Sequence, residues 1–231
     1  MKKMKKLVPS VIALVILMLT GSFCTQVQAG GKKYQEKHLI ADMKSEKIFL
    51  YYDKKNTESM YNGFYLKSGK KVKYFKWKNI CKPGFEPTIH LIDSKHIVVC
   101  CTEGEGTGFD KKELHILDRS TLKSYSTEKP SVVIGSNVTS SIKGTKVIIK
   151  MKNKTYQSIC KGIDTTQLYD KIAYDSITKY NFKRTYYTAV VPVEIAPAEF
   201  AGEFKITYQW NKKKSSFVPI RMNFHFYDTI L

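Results

Sequence analysis

The stretch Phe204-Lys205-Ile206-Thr207-Tyr208-Gln209-Trp210 decides the fold class. Apolar and polar residues alternate strictly along it. That is the period of a strand with one buried and one wetted face, whereas a helix needs a period near 3.6. Asn211 to Lys214 reads as a turn, and Ile220, Met222, Phe224 and Phe226 alternate with Arg221, Asn223 and His225 to complete a C-terminal hairpin.

Working outward, the same period recurs. Val147, Ile149 and Met151 alternate with Lys146, Ile148 and Lys150, and Asn153-Lys154 turns the chain into Tyr156, Ser158 and Cys160. Further strands are expected at 47–52, 63–67, 71–78, 88–93, 96–102, 113–118, 131–134 and 186–195, with Ser68-Gly69 as a tight turn. Helical turns are expected only near 166–171 and 196–201. About ten short strands with turn signals between them predict an all-β antiparallel domain, sandwich or barrel-like.

Residues 1–29 read as a signal peptide. Met1-Lys2-Lys3-Met4-Lys5-Lys6 is a basic start, an apolar run covers 7–19, and Val27-Gln28-Ala29 puts small residues at −3 and −1 of a cut before Gly30. The apolar run falls short of the roughly 20 residues that span a bilayer. Cys24 follows the bulky Phe23, which argues against lipidation of its thiol. The expectation is an exported protein, secreted or associated with the cell envelope. Residues 30–231 then form a single all-β domain with no transmembrane segment. Cleavage removes four lysines and no acid, taking the formal charge from +19 to +15.

That charge is almost all lysine, since Arg119, Arg184 and Arg221 are the only arginines among 39 basic residues. Recognition of planar anions favours the guanidinium fork, and lysines act instead as solvated point charges. Either a lysine-rich surface is simple solvation, or it attracts an anionic surface without reading its sequence. The densest patch runs from Phe64 to Lys82 and holds seven lysines and no acid, interleaved with Tyr65, Tyr74, Phe75 and Trp77. Lys70, Lys71, Lys73, Lys76 and Trp77 are its candidate ligand-binding residues. Such interleaving can hold single-stranded nucleic acid, but an exported chain is not expected to meet it.

If Ser94 lies in a turn, Ile89, Leu91, Ile97, Val99 and Cys101 share one face and Thr88, His90, Ile92, His96, Val98 and Cys100 the other. The neighbouring cysteines therefore point apart. Cys160 points inward with Tyr156, which makes Cys101–Cys160 the natural pair, either bridged or buried as thiols. His90, His96 and Cys100 share a face but lack the close spacing of a zinc site, so no metal is expected and the histidines read as solvated. The glycine loop Thr102-Glu103-Gly104-Glu105-Gly106-Thr107-Gly108-Phe109-Asp110 matches neither a P-loop nor a dinucleotide fingerprint. It reads as a strand connection first; the alternatives are a ligand site at Gly104, Gly106 and Gly108 or a hard cation held by the carboxylates of Glu103, Glu105 and Asp110. No cofactor and no catalytic motif is indicated.

The succession 87–93, 96–99, Gly104-x-Gly106-Thr107-Gly108 and Glu113-Leu114-His115-Ile116 resembles uncharacterised exported proteins of clostridial-type Gram-positive bacteria. In that family an aspartate-rich turn joins the first two strands; here Ser94-Lys95 follows Asp93, so no calcium site is carried over. The resemblance extends to the C-terminal hairpin and implies a fold without a known activity. The functional expectation is a non-enzymatic, envelope-associated or secreted binding module, whose partner is an anionic wall polymer or another envelope protein. The alternative is a secreted hydrolase with an unrecognised carboxylate or histidine site.

Overall fold

The structure is a computed structural model that describes residues 37–53 and 59–228. The expected signal peptide and Cys24 lie outside the described residues. Fifteen strands are present among them, against about ten expected, in four open antiparallel sheets rather than a closed barrel. Sheet A joins β1 (Lys37–Met43), β2 (Ile48–Asp53), β3 (Met60–Ser68) and β4 (Lys71–Ile80). Sheet B joins β5 (Thr88–Leu91), β6 (His96–Gly106), β7 (Phe109–Asp118) and β8 (Ser124–Tyr125). A single α-helix among the described residues, α1 (Pro130–Asn137), beside two short 3-10 turns at Lys44–Glu46 and Thr165–Gln167, leads into sheet C, formed by β9 (Val138–Lys143), β10 (Lys146–Met151) and β11 (Lys154–Ile159). Sheet D orders β12 (Lys179–Phe182), β13 (Tyr186–Ala196), β14 (Glu199–Asn211) and β15 (Ser216–Phe226).

Sheet B is the middle layer. All seven residues from His96 to Thr102 are buried, because β6 is covered on both faces. Ile97, Val99, Cys101 and Leu117 pack into a first core with Ile48, Leu50, Phe64, Leu66 and Phe75 of sheet A. Val98 and Ile116 point the other way, into a second core with Ile149 of sheet C, Phe204 and Tyr208 of sheet D, and Val133 and Ile134 of α1. Each such side chain contributes about 1.5–3 kcal/mol when fully buried, so removing one face would strip β6 of half its support.

Three expectations are corrected. Residues 131–134 are helical, although the β-branched run favours a strand, because Pro130 occupies the first helical turn and Val133 and Ile134 still find apolar cover. Residues 196–201 form the end of β13, a turn and the start of β14 rather than a helical turn. In the C-terminal hairpin Thr207 faces Arg221 but Tyr208 faces Pro219. The slip skips Ile220, which is left 57% exposed, and turns Phe217 inward instead. No helix among the described residues is long and apolar enough to cross a membrane.

Candidate functional site

The basic stretch on sheet A does not form one surface. Alternation along β4 sends Phe75 and Trp77 inward and Tyr74, Lys76 and Lys78 outward. Trp77 stacks on Phe75 at 4.2 Å and on His115 of β7 at 4.3 Å, nearly parallel to both. Its faces are covered from within, which corrects its reading as a ligand platform. Lys73 donates to the carbonyl of Leu122 at 3.1 Å and lies over the Phe75 ring, so its charge is committed as well. Lys82 pairs with Glu105.

Lys76 and Lys78 remain on the outer face, where Tyr65 faces Tyr74 across the strands and Lys67 lies over the Phe49 ring. Tyr74 is 44% exposed. Lys70 forms the Gly69-Lys70 turn and Lys71 follows it. Among the described residues Lys70, Lys71, Lys76 and Lys78 have no acidic partner; the ion pairs there engage Lys82, Lys112, Arg119 and Lys205 instead.

The glycine loop is the tip of the β6–β7 hairpin. Gly106 faces Phe109 across the two-residue turn Thr107-Gly108, and Gly108 has the positive φ of 72° that such a turn requires. The Phe109 ring lies against Gly104, where a Cβ would collide with it. These glycines are used for the turn and for close packing, which is the connecting role the sequence suggested first.

A bulge between Thr102 and Gly104 has a chemical consequence that the sequence did not announce. It lets Glu103 share a hydrogen bond with Glu113 of β7. Burial, together with that bond and the neighbouring charge, pushes the Glu113 carboxyl above its ordinary range. His115 Nε2 lies 3.5 Å from Glu113 Oε2 without a hydrogen-bond partner, and burial lowers the imidazole to about 4. Glu103 and Glu113 line a cavity of about 230 Å³ with Thr127, Lys129, Tyr180 and Tyr187. The arrangement sets a carboxyl of raised pKa, with a second carboxyl as neighbour, beside an imidazole kept neutral by burial. Only the alternation that put Glu113 and His115 on one face was visible in advance.

The cysteines are free thiols in the structure. Cys101 belongs to the first core and Cys160 to the second, so the expected pairing of Cys101 with Cys160 is corrected: both point inward, but to opposite sides of sheet B. His90 stacks on Phe182 at 4.2 Å. His96, expected in solvent, is 3% exposed, bonded to Asp93 at 2.7 Å and packed on Trp210 at 4.3 Å. Among the described residues no three His, Cys, Asp or Glu side chains come together as metal ligands. Comparison of the chain with family models, curated proteins and solved structures gave no match.

Proposed function

We propose that this is an exported, envelope-associated or secreted binding module that holds anionic polymers of the cell surface through lysine charge. The observation that carries the reading is the set Lys70, Lys71, Lys76 and Lys78, which lacks acidic partners among the described residues, beside the outward Tyr65 and Tyr74. The signal-like first 29 residues and the resemblance to exported Gram-positive proteins agree with it. Solvated ammoniums each contribute little, so many act together and binding weakens steeply as salt rises.

Sedimentation of the protein with purified wall material across a salt series tests this. Replacing Lys70, Lys71, Lys76 and Lys78 with Gln is expected to reduce retention more than replacing Lys212, Lys213 and Lys214, which lie in a turn without the aromatic neighbours. Retention indifferent to salt and to both sets contradicts the reading.

The cavity at Glu103 and Glu113 favours a second reading, a secreted hydrolase in which Glu113, its carboxyl raised by burial and by Glu103, acts as general acid. Hydrolysis of wall glycans abolished by Glu113→Gln, with folding intact, is its expected signature. Equal hydrolysis by the variant, or none by the native protein, sinks it.

A further inference from the structure

Four turns meet at one end of the first core. The turn 44–46 between β1 and β2 ends at Lys47, whose φ of 55° is left-handed. The β3–β4 turn joins it through Gly69 N–H, which donates to the Lys47 carbonyl at 3.1 Å. The β5–β6 turn meets the β7–β8 turn through Arg119 N–H on the Lys95 carbonyl at 2.7 Å. Arg119 Nη2 then crosses between the sheets to Glu46 Oε2 at 2.8 Å. Between them lies a cleft of about 580 Å³ lined by Lys47, Ser68, Ser94, Lys95, Arg119 and Ser120, together with Glu46 and Asp118.

Both acids in the cleft are already committed. Glu46 is paired with Arg119. Asp118 Oδ1 accepts from the backbone N–H and hydroxyl groups of both Ser120 and Thr121, and Oδ2 accepts from Tyr125. Lys47 and Lys95 have no such commitment: among the described residues neither ammonium has an ion-pair or hydrogen-bond partner. Ser68 is only 8% exposed and lines the cleft, and its hydroxyl has no hydrogen-bond partner among the described residues. Ser94 adds an exposed hydroxyl from the facing turn.

We propose that this cleft is a phosphate subsite, which takes a phosphodiester group of the anionic polymer. The inference rests on the polymer-binding reading and narrows it to one chemistry. The arginine is held by Glu46, so the uncommitted charge is ammonium, a point charge suited to a tetrahedral oxyanion more than to a planar carboxylate. Ser68 at the end of β3 and Ser94 in the β5–β6 turn line the same cleft and bring hydroxyl-bearing residues from two separate segments.

The test compares binding of the full protein to a polyol-phosphate polymer and to polygalacturonate of matched charge density, with inorganic phosphate as competitor. The variant is Lys47→Asn with Lys95→Gln, since asparagine tolerates the left-handed backbone and preserves the turn; Ser68→Ala is the second, and thermal melting checks that each folds. Lys47→Asn with Lys95→Gln is expected to weaken the polyol-phosphate complex about tenfold, as loss of charged hydrogen bonds does. Ser68→Ala weakens it by a smaller factor. Polygalacturonate binding changes little, and inorganic phosphate competes only for the native protein. Equal loss for both polymers, or no loss for either, overturns the subsite while leaving the polymer-binding reading standing. Failure of the native protein to bind either polymer overturns both.

Discussion

The two faces of β6 make the most instructive pair of regions in the molecule. Ile97, Val99 and Cys101 look toward sheet A, into a core of ten buried residues, while Val98 looks toward sheets C and D, into a core of twenty-one among the described residues. The first core is built from one hairpin series packed on sheet B. The second gathers a helix and two further sheets around large rings such as Tyr187, Tyr208, Phe204 and Phe217. Both use the same strand, so neither is complete without it. The lesson is that "inward" along β6 names two opposite directions, one for each alternate residue.

If β6 couples the cores, damage to either is felt by both. Phe64→Ala in the first core and Phe204→Ala in the second are each expected to cost about 3–5 kcal/mol. Each should lower the midpoint of one shared unfolding transition, followed by denaturant titration with fluorescence and circular dichroism. Two transitions, with only one moved by Phe64→Ala, would break the coupling.

A somewhat smaller effect sharpens the contrast from the first face. His115 is stacked on Trp77 and held neutral by burial, with its pKa lowered from 6.5 to about 4 and Glu113 at 3.5 Å. A histidine depressed in the folded state binds fewer protons there than when unfolded, so stability falls as pH drops from about 6.5 toward 4. The side chain is 14% exposed, and the whole effect is at most about 3 kcal/mol. Trp77→Ala should wet the imidazole, bring its titration back toward 6.5 by NMR and flatten that slope. An unchanged His115 titration in Trp77→Ala would show that the stack does not bury it.

Much of this architecture was legible. The alternation of Phe204 to Trp210 and of 147–151 specified strands, and the opposite facing of Cys100 and Cys101 followed from strand geometry alone. What escaped was tertiary. The run Val132–Ile134 is β-branched, but Pro130 and cover from the second core made it helical. Ile220 kept the period of its neighbours until a register slip, placed beside Pro219, expelled it. The candidate site was legible only as composition. The lysines of β4 are adjacent in sequence, yet pleating and the turn divide them among the core edge, the outer face and one end of the molecule. The Glu103–Glu113 contact depends on a bulge, and the cleft at Lys47 and Lys95 on four turns from distant segments; local pattern does not encode either.

The most direct test of the two-faced middle sheet is thiol chemistry, read by peptide mass mapping after alkylation of the native and then the unfolded protein. Cys81 is exposed, whereas burial pushes the Cys100 thiol up to about 11 and raises Cys101 and Cys160 as well, leaving little thiolate to react. Native protein is expected to be labelled at Cys81 alone, and all four of these thiols once it unfolds. A bridge joining Cys101 to Cys160 would place both on one side of β6 and contradict the fold described here.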